Sequence, residues 1–126
     1  MNYTERPKAL KGDSIRMETG CGHLYVTINK LDGKVIEVFA SLGKCGGCSK
    51  GFLESLTKSI TIGLRSGVEL RRYHKILSGV QCNNSTYSEG IKVLSCSDAI
   101  AFIIKEYIDE ETEQIPMPII KQGGNE

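Results

Sequence analysis

Asp32-Gly33 stands between 24–28, in which apolar, β-branched and aromatic side chains alternate with polar ones, and the run Val35, Ile36, Val38 and Phe39. Asp and Gly accept the positive φ angles of a two-residue hairpin turn, and alternation at period two gives each strand one face for a core. The two stretches are therefore predicted to pair antiparallel. The same alternation from Ile15 to Met17 predicts a third strand. A hairpin cannot bury its apolar face alone, and the chain supplies a partner next. Gly43-Lys44-Cys45-Gly46-Gly47-Cys48-Ser49-Lys50 is a turn that empties into Phe52, Leu56, Ile60 and Leu64, with Leu53 beside them. That spacing predicts a helix over 49–66, closed by Gly67 in a left-handed cap. A second helix is predicted over 69–77, with Leu70, Tyr73 and Leu77 inward and Arg71, Arg72 and Lys75 outward. Residues 80–94 are the least regular stretch, containing Asn83-Asn84-Ser85-Thr86, Gly90 and an apolar stub at Val93-Leu94. A last helix is predicted to take Ser95 or Ser97 as its cap and to bury Ala99, Ile100, Ile103, Ile104 and Tyr107 or Ile108. The expected fold is α+β, an antiparallel sheet of about three strands packed on two to three helices. Residues 1–12 read as an extended lead-in, 13–109 as a single domain, and 110–126 as an acidic tail carrying Pro116 and Pro118.

Length bounds what such a fold can do. With 126 residues there is material for one compact core and not for a large catalytic barrel. No apolar run is long enough to span a bilayer and residues 1–6 lack the apolar stretch of a secretory signal, so a cytoplasmic protein that makes no membrane contact is expected. Five cysteines are an odd number, which argues against a disulfide framework in a reducing compartment. The formal net charge is +1, yet residues 44–75 carry seven basic and two acidic side chains while 76–126 carry three and eight. A basic middle suits a small anion or a neighbouring acidic surface, and equally a solvated face. A homo-oligomer is expected, because a three-stranded sheet exposes its edges and the apolar segment from Ile115 to Ile120 has no evident berth within the chain.

The glycine-rich turn offers unpaired helix N–H groups, and Lys44, Gly46, Gly47, Ser49 and Lys50 around it would suit a phosphate or nucleotide. It is not a P-loop, because no Lys follows the last Gly at that motif's spacing, and a plain strand-to-helix turn needs the same glycines. Arg65, Arg71, Arg72 and Lys92 are candidates for phosphate contacts, Tyr73 and Tyr87 for a base, and Asn83 lies in the polar loop beside them. Cys45-Gly46-Gly47-Cys48 has the spacing of zinc knuckles and of thiol redox proteins. Zinc needs four ligands, and Cys21, Cys82 and Cys96 all lie at turns or element ends; buried, inert thiols are the competing interpretation. Neither His23 nor His74 has a sequence neighbour that signals a catalytic pair. Nothing among these residues demands an enzyme. The near-neutral balance and sparse aromatics give no expectation of direct nucleic-acid binding.

Thr19-Gly20-Cys21-Gly22, the run from Leu24 to Asn29, Glu37-Val38-Phe39-Ala40, Gly43-Lys44, Gly46-Gly47-Cys48, Leu64-Arg65-Ser66-Gly67-Val68, Leu77-Ser78-Gly79-Val80, Cys82, Ser95-Cys96 and Asp98-Ala99-Ile100-Ala101 together resemble the TSCPD domain. That domain closes many adenosylcobalamin-dependent (class II) ribonucleotide reductases, and the segment from Arg6 to Gly12 is similar to the one that leads into it. The similarity covers residues 6–104. The naming motif departs, reading Leu94-Ser95-Cys96-Ser97-Asp98, and Cys45 stands where the family usually has another small residue. The resemblance implies four motif cysteines, Cys21, Cys48, Cys82 and Cys96, the number a structural zinc site requires. It does not imply ribonucleotide reduction by this chain, since the family's radical chemistry and cobalamin site reside in a barrel of several hundred residues. Adenosylcobalamin is not expected here, nor catalysis by the chain alone. The leading expectation is a non-catalytic accessory or regulatory module, with a class II reductase catalytic chain as partner. The alternative is a free-standing oligomeric binder of a nucleotide-like small molecule, as in proteins of mobile elements that sequester signalling nucleotides. A third is a thiol redox partner acting through Cys45 and Cys48.

Overall fold

The computed structural model describes residues 3–43 and 47–114. Strands β1 (Lys11–Thr19), β2 (Gly22–Leu31) and β3 (Lys34–Leu42) form one antiparallel sheet in that order. Asp32 and Gly33 turn the hairpin with φ of 53° and 80°, the backbone for which that pair is suited. Pairing of Leu24 with Leu42, Val26 with Ala40 and Ile28 with Val38 stacks one apolar face, on which Leu24, Val26, Ile28 and Val38 are fully buried. The register shifts between Asn29 and Lys30, whose partners are Glu37 and Val35, so Ile36 is an extra residue on β3. With that bulge all four residues from Val35 to Val38 are buried.

Helices α1 (Gly47–Arg65), α2 (Leu70–Leu77) and α3 (Cys96–Gln114) complete the core with Leu53, Ile60, Leu64, Leu70, Leu77, Ile100 and Ile104. α2 buries Leu70 and Leu77 and exposes Arg71, Arg72 and Lys75, as its pattern predicts. Ser95 caps α3, its hydroxyl accepting the N–H of Asp98 at 3.0 Å. Tyr107 then pins the far end of α3 to β1, donating to Asp13 Oδ2 at 2.5 Å. Burial, with the hydrogen bond to Asp13 and the carboxylates nearby, pushes the Tyr107 phenol well above its ordinary value. Lys30 lies 5.2 Å from the Tyr107 ring centre and reaches Glu110 at 2.6 Å. Among the described residues no helix is long and apolar enough to cross a membrane.

Four expectations are corrected. The buried stripe of α1 is Leu53, Thr57, Ile60, Thr61 and Leu64, while Phe52 points out, 77% exposed, and Leu56 is half-buried. The reason lies in Thr61, whose hydroxyl accepts from Val38 N–H at 3.1 Å and donates to Val38 O at 3.0 Å. α1 thus packs against β3 and pairs the outward backbone N–H and C=O of Val38. Structure also begins before Asp13. β1 starts at Lys11, Thr4 N–H bonds Arg65 O at 2.8 Å, and Arg6 reaches into the sheet to Glu37. Residues 80–94 hold a second antiparallel hairpin, β4 (Thr86–Ser88) and β5 (Ile91–Val93), turned by Glu89 and Gly90 with φ of 50° and 83°. Finally, α3 continues through Gln114, past the boundary expected at 109. The apolar segment from Ile115 to Ile120 lies outside the described residues.

Candidate functional site

Three cysteines distant in sequence meet at one pocket. Cys21 comes from the turn between β1 and β2, Cys82 from the segment after α2, and Cys96 is the first residue of α3. Each approach has a local cause. Gly20 lets the β1–β2 turn press against the polar loop, because a Cβ there would lie 1.5 Å from the Asn84 carbonyl oxygen. Cys82 N–H bonds Leu94 O at 3.1 Å, and Ser95 donates to Val80 O at 2.5 Å, which draws the segment after α2 onto the start of α3. Asp98, buried at the first turn of α3, accepts Gly79 N–H at 2.8 Å and Leu94 N–H at 3.0 Å. One carboxylate therefore holds the end of α2, the approach to α3 and α3 itself together.

A hydrogen-bond chain links the sulfurs. Thr19 Oγ1 donates to Gly22 O at 2.8 Å, accepts Cys21 N–H at 3.1 Å and faces Cys96 Sγ at 3.8 Å. Asn84 donates its backbone N–H to Cys82 Sγ at 3.3 Å and its side-chain amide to Cys21 Sγ at 3.6 Å. Burial pushes the Cys96 thiol above its ordinary value. The Thr19 hydroxyl pulls against that, and the neighbouring Cys21 and Cys82 push it further up.

The pocket holds about 240 Å³. Leu42, Phe52, Leu53, Leu56 and Val80 supply its apolar lining, and Ser49, Ser95 and Ser97 line it with the three cysteines. Cys48 lies exposed on the first turn of α1, next to Ser49 at the rim. Among the described residues no group of three or more His, Cys, Asp or Glu side chains is placed to hold a metal ion. Thiols are the donor type a soft divalent metal takes, but these four are not placed around one point that would hold an ion.

Among the described residues, those proposed from the sequence for an anion or nucleotide are spread over α1, α2 and the β4–β5 hairpin with the loop before it. Ser49 lines the pocket and Lys50 is exposed one residue further along α1, which begins at Gly47; Lys44, Cys45 and Gly46 lie outside the described residues. Arg65, in the last turn of α1, is directed at Glu37. Arg71 bonds Glu69 at 2.8 Å and Arg72 lies 3.9 Å from the same carboxylate. The Tyr73 hydroxyl packs where a Cβ on Gly63 would stand, 1.7 Å from it. Tyr87 and Lys92 are paired across the β4–β5 hairpin, both exposed, and Asn83 is exposed in the loop before it. Thr19 and Asn84, which touch the sulfurs, were not singled out from sequence as site residues. The signal for Thr19 was its place in Thr19-Gly20-Cys21-Gly22, whereas Asn84 had none beyond lying two residues after Cys82.

A family model described as the TSCPD domain matches residues 1–108 of the chain. No curated relative and no solved structure matches it.

Proposed function

The chain belongs to the TSCPD domain family, which is associated with ribonucleotide reductases, and on that premise we propose that it is a non-catalytic accessory module of a class II reductase, held in shape by zinc. The convergence of Cys21, Cys82 and Cys96 on one pocket supports this reading, because three of the four motif cysteines come together from segments far apart in sequence. Cys48, at the rim on α1, supplies the fourth thiolate. Cys21, Cys48, Cys82 and Cys96 would hold such an ion, which would tie the β1–β2 turn, the segment after α2 and the starts of α1 and α3 together in a structural role. The protein's own residues do the rest. Asp98 and Ser95 fix the start of α3 and Gly20 admits the turn, so the thiols are brought near one another before any metal arrives.

Two measurements test the proposal. Protein purified without added zinc should carry about one zinc per chain, and reactive thiols should increase when a chelator strips it. Absence of metal with every thiol freely reactive rejects the zinc assignment. Coprecipitation with a class II reductase catalytic chain tests the accessory role, and a chain that neither binds that partner nor alters its activity rejects it. Titration with a nucleotide panel addresses the competing function, and saturable binding there would displace the accessory reading.

A further inference from the structure

We propose that Cys21 and Cys96 form a dithiol site that a small-molecule disulfide oxidises to an internal disulfide, a reaction that needs no metal. The two residues are far apart in sequence, and the fold holds them against one another. Thr19 Oγ1 accepts Cys21 N–H at 3.1 Å and the Cys96 thiol at 3.8 Å, so one hydroxyl anchors both. Cys21 and Cys96 also meet side chain to side chain, a contact that adds to burial in pushing the Cys96 thiol up. Asn84 stands between Cys21 and Cys82, donating to both sulfurs at 3.6 and 3.3 Å, which leaves Cys96 as the thiol in direct reach of Cys21. Both carriers are braced. The Asn84 carbonyl oxygen fills the place a Cβ on Gly20 would take, and Ser95 and Asp98 fix the first turn of α3. The pocket that both sulfurs border holds about 240 Å³ and neither residue is fully buried, so one end of a small disulfide can reach them. The exchange balances in two steps. Burial holds back the Cys96 thiolate, so Cys21 attacks first: it gives up its proton, bonds one sulfur of the oxidant and releases the other half, which takes that proton as a thiol. Cys96 Sγ then attacks Cys21 Sγ, and the second half leaves with the Cys96 proton. Two protein thiols are oxidised and one disulfide is reduced to two thiols. The new bond ties the β1–β2 turn to the start of α3. It also consumes two of the sulfurs on which the zinc reading relies, so the two states exclude each other.

The test uses the full chain, treated with a chelator so that its outcome is separate from that of the zinc measurement, and incubated with oxidised glutathione. Remaining thiols are then alkylated and the peptides mapped by mass spectrometry without reduction. The wild-type map should contain one linked pair carrying Cys21 and Cys96, with Cys82 alkylated. In the double variant Cys45→Ser/Cys48→Ser, which keeps only the pocket thiols, the free-thiol count should fall from three to one. Adding Cys82→Ser should leave the linked pair in place, whereas adding Cys96→Ser should abolish it and strand one glutathione on Cys21. The wild-type map decides the pairing even where a serine variant does not fold. A linked pair that includes Cys82, glutathione left on both Cys21 and Cys96, or three pocket thiols untouched by the oxidant each overturn the proposal.

Discussion

The protein contains two polar clusters built on opposite terms. On β3, Glu37 is fully buried, and it accepts from Asn29 Nδ2 at 2.7 Å, from Arg6 Nε at 2.5 Å and from Arg65. Burial pushes its carboxyl up, but the Asn29 and Arg6 hydrogen bonds and the two guanidinium charges outweigh that and leave it below the ordinary carboxylate value. Around Cys21, Cys82 and Cys96, by contrast, sulfurs lie 3.3–3.8 Å from neutral partners. A buried full charge must be neutralised as the chain folds, whereas a thiol behaves as a small hydrophobe and tolerates weak partners. The Glu37 carboxylate is engaged on folding and serves stability, although the buried Nε of Arg65 beside it has no hydrogen-bond partner. The thiol cluster is drawn together without being consumed, which leaves it available to a ligand.

The largest expected effect lies in the first cluster. Glu37→Ala strands the guanidiniums of Arg6 and Arg65 and should cost about 3–5 kcal/mol in denaturant unfolding; a loss below about 1 kcal/mol, the range of a surface pair, would erase the contrast. The same carboxylate sets a pH dependence. Its folded pKa lies below its unfolded value, so its contribution is fully present above the unfolded value and is lost as pH falls through the folded one. The stability gap between wild type and Glu37→Gln should therefore hold from neutrality down to the unfolded carboxylate value and shrink as pH falls below it, and a gap independent of pH throughout would show that Glu37 is not held as the anion. Next in size is Gly20→Ala, whose added Cβ meets backbone at Asn84 rather than a side chain that can swing aside. It should cost about 1–3 kcal/mol and slow alkylation of no thiol; instead Cys21 should become more reactive as the turn lifts away. The smallest stability effect belongs to Cys96→Ser, which in chelator-treated protein should change unfolding by less than about 1 kcal/mol while abolishing zinc retention. A large destabilisation without metal would make the thiol cluster a structural device like the Glu37 cluster.

Much of the frame is legible in single residues. Asp32-Gly33 reads as a tight turn between two strand-like stretches, and a Ser cap before the apolar run of α3 is legible too, although only the structure chose Ser95 over Ser97. Leu70 and Leu77 face inward because no other face of α2 is apolar. Periodicity failed on α1, where Phe52 fits the stripe by spacing and yet is exposed. Thr61 takes a buried place because it bonds the Val38 backbone on the strand edge, while Thr57 is buried with its hydroxyl donating to the Leu53 and Glu54 carbonyls of its own helix, and hydropathy weighs neither. β4 and β5 escaped notice because each has only three residues, too few for an alternation to register. In the site, the four family cysteines could be picked out by resemblance, but the hydrogen bonds of Thr19 and Asn84 to them could not, since both are short-lived in sequence terms, one residue each with no periodic signature.

By itself the sequence determined the α+β class, the meander of three strands, the order and polarity of the helices and the family. Those properties rest on local pattern, turn chemistry and caps, which act over a few residues. Tertiary structure alone decided that Arg6 and Arg65 meet at Glu37, that Thr61 seals the edge of β3, and that Cys21, Cys82 and Cys96 share a pocket with Asn84 between two of them. Each of these joins segments separated by tens of residues. Their meeting is fixed by how the sheet and helices share one core, and no short stretch of sequence carries that information.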